Sequence, residues 1–225
     1  GKISLDDQVT ASAHAASMGG SDIWLKEGET MSVNDLIKAT VIMSANDAAV
    51  VLAEHVYGTE DEFVKQMNIR AKQLGMNDTT FKNCNGLDED GHLTTAHDVA
   101  LMSAELIKHE KIFDYTLTWM DYVRDGETQL VNTNKLIRSY KGITGLKTGT
   151  TSQAGSCISA TAKRDNLSLV AVVLGCSTTD ERFTSASTLL DYGFANFSFA
   201  SLQMPELGTV PVTNGIQGEV QAECT

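Results

Sequence analysis

The sequence predicts an α+β fold, a helical cluster packed on an antiparallel sheet, and three patterns carry that reading. Apolar residues recur at helical intervals between about residues 32 and 109. From about residue 119, apolar and β-branched runs alternate with short polar turns, as in antiparallel strands. The stretch from Thr179 to Phe197 then returns to a helical period, with Phe183, Ala186, Leu190, Phe194 and Phe197 along one side, suited to covering a sheet.

Taken in order, Ser32 to Met43 opens with a Ser-x-x-Asp capping pattern and carries Val33, Leu36, Ile37, Thr40 and Val41 at helical spacing. Ser44 sits at the end of that helix. Asn46 is placed to cap a second helix, Asp47 to Val56, with Ala48, Val51, Leu52 and Val56 on its apolar face, so Ser44-Ala45-Asn46 is the bend between two helices. Thr59-Glu60-Asp61-Glu62 starts a third helix, whose Phe63, Met67, Ala71 and Leu74 are core positions and which Gly75 ends. Cys84 to Thr95 is rich in Asn, Gly and Asp and reads as a long loop; Thr95 with Asp98 opens a fourth helix to about His109.

Trp119 to Val131, with Asp125-Gly126 inside it, predicts a hairpin. Gly142 to Thr151 is a glycine- and threonine-rich strand. Cys157 to Ala162 and Leu167 to Leu174 form a second hairpin around the polar turn Lys163-Arg164-Asp165-Asn166. Beyond Pro205, Val210, Val212, Ile216 and Val220 suggest the first strands of another β-rich unit. The domain reading is therefore residues 1–204 as one unit, helical over about 1–115 and sheet over about 116–204, with 205–225 opening a second.

Composition excludes several function classes. The 225 residues are 42% hydrophobic and 20% charged with only 2 prolines, enough to bury one large core and unlike a disordered chain. A net charge of -12 is opposite to what a nucleic-acid surface needs. No apolar run reaches the ~18 residues of a membrane span. The first residues, Gly1 to Asp7, lack the apolar centre of a signal peptide, so targeting segments were either removed or never present. Cys84, Cys157, Cys176 and Cys224 show no metal-ligand or Cys-x-x-Cys spacing. Cys157 and Cys176 fall on strands that would be neighbours, which leaves a disulfide open against the ordinary reading as small buried hydrophobes.

Two tripeptides carry chemistry. Lys147-Thr148-Gly149, on a strand with Thr150, makes a compact anion clamp: the lysine supplies charge, the hydroxyls supply donors, and the glycine lets a ligand backbone approach. A small carboxylate is the natural guest. Ser44 and Asn46 can supply a proton relay and an amide that holds a substrate peptide bond. Taken singly, Lys147 also reads as a solvated strand lysine and Ser44 and Asn46 as capping residues. Each tripeptide arises by chance in about one chain in twenty of this length.

Those two tripeptides are two of the three signatures of penicillin-recognising serine enzymes. From Val9 to about Pro205 the chain resembles the low-molecular-mass penicillin-binding proteins, the serine-type D-alanyl-D-alanine carboxypeptidases of peptidase family S11. The matching text includes Ser17-Met18-Gly19-Gly20-Ser21, Leu25-Lys26-Glu27-Gly28-Glu29, Ser44-Ala45-Asn46-Asp47-Ala48-Ala49, Asn85-Gly86-Leu87, Gly91-His92, Gly145-Leu146-Lys147-Thr148-Gly149 and Leu189-Leu190-Asp191-Tyr192-Gly193-Phe194. The resemblance implies a β-lactamase/transpeptidase-like fold and removal of the terminal D-Ala from peptidoglycan stem peptides by serine acyl transfer. β-Lactams would act as substrate mimics in the intact family member.

By that resemblance Ser44 would pass a proton towards the leaving D-alanine, Asn46 would hold the penultimate portion, and Lys147 would tune Ser44. Thr148 and Thr150 would bind the terminal carboxylate beside Gly149, with the Thr150 backbone N–H as half of an oxyanion hole. Arg182 would help to fix the carboxylate, and His92 would border the cleft as a binding or structural residue. The resemblance calls for no metal and no cofactor, and it implies an extracytoplasmic location in the bacterial cell envelope. Any membrane contact would run through a C-terminal anchor that these residues do not include.

The third signature, Ser-x-x-Lys, does not occur: no serine has a lysine three positions later. Thr79-Thr80-Phe81-Lys82 has a similar spacing but follows the Ser-Ala-Asn motif, in the wrong order and setting. The resemblance would place the nucleophile segment before Gly1, so the expectation is an N-terminally truncated carboxypeptidase domain, inactive alone, with an exposed sheet edge and a cleft that association would cover. A non-catalytic wall-peptide-binding relative and, less favoured, a serine β-lactamase are the alternatives.

Overall fold

The structure, a computed structural model, describes residues 3–200, 208–216 and 218–221. A small ribbon that the sequence pattern did not single out starts the helical half. β1 (Gln8–Thr10) pairs antiparallel with β2 (Thr30–Ser32), setting the buried Val9 opposite the buried Met31. Between them the chain makes a long arch that includes the short α1 (Ala13–Ala16).

Ser32 caps α2 (Val33–Lys38) as its capping pattern requires, Oγ accepting from the Asp35 N–H at 3.1 Å. The helix expected to reach Met43 does not stay α-helical: Ala39–Met43 form a π-helical turn. Thr40 Oγ1 donates to the Leu36 carbonyl at 2.8 Å, a back-bond of the kind that loosens a helix at such a turn. α3 (Asn46–Tyr57) follows, with Ala45 in the capping position and no side-chain cap, so Asn46 is not the cap that its position suggested. α4 (Glu60–Gln73) and α5 (Ala96–Leu106) start at Thr59 and Thr95, whose hydroxyls accept from the Glu62 and Asp98 N–H groups. α5 stops short of His109, and a 3-10 turn leads into α6 (Phe113–Thr116).

In the second half, β3 (Met120–Val123) and β4 (Thr128–Val131) form the expected hairpin, turned by Arg124, Asp125 and Gly126 at φ of 54°, 52° and 96°. After α7 (Leu136–Ser139) comes the main sheet, β5 (Ile143–Thr151), β6 (Gly155–Arg164) and β7 (Leu167–Cys176), antiparallel in the order β5-β6-β7. α8 (Thr179–Asn196) lies across β6 and β7. β8 (Thr209–Pro211) and β9 (Glu219–Gln221) make a separate exposed ribbon; Pro205 and Cys224 lie outside the described residues.

Among the described residues, most of the apolar interior falls into two clusters. One joins the arch, α2, α3 and the β3–β4 hairpin through Ile23, Leu36, Ile42, Val51 and Leu130; the other joins the sheet to α8 through Ile158, Ala160, Ala162, Phe183, Ala186 and Leu190. Each fully buried leucine-sized side chain contributes roughly 1.5–3 kcal/mol, so both clusters are substantial cores. β5 joins the two halves where it passes α6. There Gly145 holds φ of 131°, and a Cβ would come 2.7 Å from Thr116 Cβ.

Cys157 and Cys176 sit on adjacent strands, but Ser156 is the residue opposite Cys176. The register is irregular at Cys157, and among the described residues neither thiol forms a disulfide.

Candidate active site

Ser44 ends the π turn in the left-handed conformation, φ 67° and ψ 38°, its N–H donating to the Ala39 carbonyl. That conformation costs a residue with a Cβ about 1–2 kcal/mol, and it turns the chain sharply from α2 towards α3. Ser44 Oγ has no protein partner among the described residues.

Asn46 spends its amide on the arch instead of its own helix. Its Nδ2 donates to the Gly19 carbonyl at 2.8 Å and its backbone N–H to the Ser21 carbonyl at 2.7 Å. Gly20 is needed at this crossing: φ is 92°, and a Cβ would lie 2.8 Å from Asn46 Nδ2. Asp47, 2% exposed, fastens the same segment by accepting from the Ile23 N–H at 3.2 Å and the Leu25 N–H at 2.9 Å. Asp22, beside it, has its carboxyl pushed up by burial and by the charge of Asp47.

Across the cavity, β5 presents Lys147 in regular antiparallel register opposite Ser159. Lys147 Nζ donates to the Thr148 carbonyl at 3.0 Å. Burial, with repulsion from the Arg182 guanidinium, pushes its pKa down to about 8. A lysine poised there can hold an anion as the ammonium and accept a proton as the amine. Thr148 is buried, its hydroxyl 2.6 Å from that of Thr133.

Arg182, near the start of α8, is 6% exposed and braces the end of β5. Its Nη1 donates to the Gly149 carbonyl at 3.0 Å and to Thr150 Oγ1 at 2.9 Å. The guanidinium lies 4.9 Å from the Phe183 ring centroid, and its Nε is buried without a partner among the described residues.

Ser44, Asn46 and Lys147 line one open cavity of about 300 Å³, together with Thr40, Val41, Ala45, Ala49, Cys84 and Asn85. Thr150 and Arg182 meet farther along the strand, with Gly149 exposed between them and the cavity. His92 is not in this group. It lines a neighbouring cavity with Asp88, Thr151 and Gln153, and packs edge-on against Phe81 at 5.8 Å. Among the described residues no cluster of His, Cys, Asp or Glu is suited to a metal ion.

Two contributors escaped the sequence reading. Thr133 donates its backbone N–H to the Ile42 carbonyl at 3.3 Å while its hydroxyl meets Thr148, tying the π turn to β5. Cys84 lines the cavity wall, its thiol pushed far up by burial and the Glu60 carboxylate, and so is an inert wall group. Nothing in the local sequence around Thr133 marks this role, which exists only through tertiary contacts.

Residues 1–178 match the family described as D-alanyl-D-alanine carboxypeptidase. The D-alanyl-D-alanine carboxypeptidase DacF of Bacillus subtilis is 48% identical over 200 residues, covering 88% of this chain and 51% of that protein. DacC of Escherichia coli is 37% identical, with 91% and 53% covered. Among solved structures, penicillin-binding protein 5 from Haemophilus influenzae superposes with a TM-score of 0.87 at 32% identity, covering 98% of this chain and 66% of that one. The chain thus spans about half the length of the curated relatives it matches.

Proposed function

The chain belongs to the D-alanyl-D-alanine carboxypeptidase family, peptidase family S11, and from that premise we propose that its cleft binds peptidoglycan stem peptides ending in D-Ala-D-Ala. The protein that carries this cleft would remove the terminal D-alanine by serine acyl transfer in the bacterial cell envelope. The convergence of Ser44, Asn46 and Lys147 on one cavity carries the reading. Lys147 as ammonium, with Thr150 held by Arg182, takes the terminal carboxylate; Asn46 holds the peptide amide; Ser44, without a protein partner among the described residues, relays a proton to the leaving amine. Thr148 supports the clamp from behind through Thr133. A relative, penicillin-binding protein D2 of Listeria monocytogenes at 35% identity, was solved in an ampicillin-bound form, and β-lactams are proposed to occupy the same cleft here.

The acylating serine of a Ser-x-x-Lys motif is not among these 225 residues. Their own contribution is binding, proton relay and carboxylate recognition, and the polypeptide alone forms no acyl-enzyme. Calorimetric titration with diacetyl-L-Lys-D-Ala-D-Ala tests the reading. Saturable binding of this ligand, with none for the L-Ala-L-Ala isomer, is expected; equal binding of both, or of neither, would contradict it.

A further inference from the structure

Trp24 stands apart from the cleft residues. It is 74% exposed, and it holds φ of 54°, a left-handed conformation that a bulky side chain seldom adopts. Its neighbours are fixed on every side. Asp47 accepts the Ile23 and Leu25 N–H groups, and Arg124 Nη1 donates to the Ile23 carbonyl at 2.8 Å. Arg124 is itself bonded to Glu29 through Nε at 2.6 Å. The backbone is thus pinned in a conformation that directs a large apolar ring outwards, where burial cannot stabilise it.

The ring borders an open cavity of about 710 Å³ between the arch and the turn of the β3–β4 hairpin. Apart from Ile23, which is itself buried, and Gly28, its other lining is polar: Lys26, Glu27, Glu29, Arg124, Glu127 and Thr128. Among the described residues, Lys26, Glu27 and Glu127 have no ion-pair partner, and all three are exposed. A protein-docking anchor would be ringed by further apolar residues. An indole face flanked by unpaired carboxylates and an ammonium matches a sugar, whose C–H face stacks on the ring while its hydroxyls donate to carboxylates.

We propose that Trp24 and the Lys26–Glu27–Glu127 rim form a carbohydrate subsite for a β-1,4-linked N-acetylhexosamine chain. This rests on the wall-peptide reading, because a stem peptide is carried on such a glycan. The arch that presents Trp24 also supplies the Gly19 and Ser21 carbonyls that hold Asn46, so one segment serves both subsites.

The test uses the 225-residue chain carrying Trp119→Phe, so that indole fluorescence reports Trp24 alone. Titration with chitotetraose, which has no peptide, should change that fluorescence saturably. By calorimetry, Trp24→Ala should weaken binding about tenfold, while Trp24→Phe, which keeps an aromatic face, stays within about threefold of the parent. Diacetyl-L-Lys-D-Ala-D-Ala should bind Trp24→Ala and parent alike. Failure of chitotetraose to bind the parent, or unchanged binding by Trp24→Ala, would overturn the subsite. If chitotetraose binds as expected and the peptide does not, the subsite stands and the wall-peptide reading of the cleft fails.

Discussion

Ser44 and Asn46 on one side of the cavity, and on the other Lys147, with Thr150 farther along its strand, are presented by backbones of opposite kinds. The helical side is irregular: a π turn, a left-handed serine and an arch crossing that only glycine allows aim its side chains. The strand side is regular, with Lys147 set by antiparallel register and Thr150 held by a buried guanidinium. Local strain aims the first set, and ladder hydrogen bonds with one long-range brace aim the second. The two sides should therefore respond differently to substitution: loss of the brace on the strand side should cost stability and binding together, whereas relief of strain on the helical side should trade one for the other.

Removing the brace should have the largest effect. Arg182→Ala leaves the Gly149 and Cys157 carbonyls and the Thr150 hydroxyl short of a donor and opens a void against Phe183. Urea unfolding should show a loss of about 3 kcal/mol. A loss below about 0.5 kcal/mol, the range of an ordinary surface substitution, would mean that β5 needs no brace.

Lys147 gives the next effect, through pH. With a folded pKa of about 8, its protonated fraction falls about tenfold between pH 7 and pH 9, and affinity for a carboxylate-ended peptide should fall with it. The stability contribution has the opposite sign. Between about 8 and the ordinary 10.5 the unfolded lysine keeps a proton that the folded one has lost, so this group makes unfolding harder as pH rises. Lys147→Met should abolish both trends; a parent affinity that is flat from pH 7 to 9 would contradict the shifted lysine.

The smallest effect tests the strained side. Ser44→Gly relieves about 1–2 kcal/mol of left-handed strain and adds about 0.5–1 kcal/mol of unfolded-chain entropy, for a net gain of about 0.5–1 kcal/mol. Thermal melts should rise slightly; a fall would show that Ser44 is comfortable where it sits.

The same contrast explains what the sequence disclosed. Regular features were legible: the caps at Ser32, Thr59 and Thr95, the Asp125-Gly126 turn, the hairpin from Cys157 to Leu174 and the apolar face of α8 all follow from local periodicity and hydrogen-bond chemistry. The strand that carries Lys147 was legible for the same reason. The π turn was not, because Ala39 to Met43 carry an ordinary helical pattern, and Asn46 looked like a cap because its true partner, Gly19, is brought close only by the fold. Thr133, and Arg182 in its bracing of β5 as distinct from the carboxylate role that the resemblance implied, act through contacts between elements far apart in sequence, which no window of residues contains.

That both sides serve one ligand can be measured directly. In a ¹H–¹⁵N titration with diacetyl-L-Lys-D-Ala-D-Ala, the amides of Ser44 to Asn46 and of Lys147 to Thr150 should shift along a single binding curve with one dissociation constant. Shifts confined to one side, or two separate curves, would contradict a shared site.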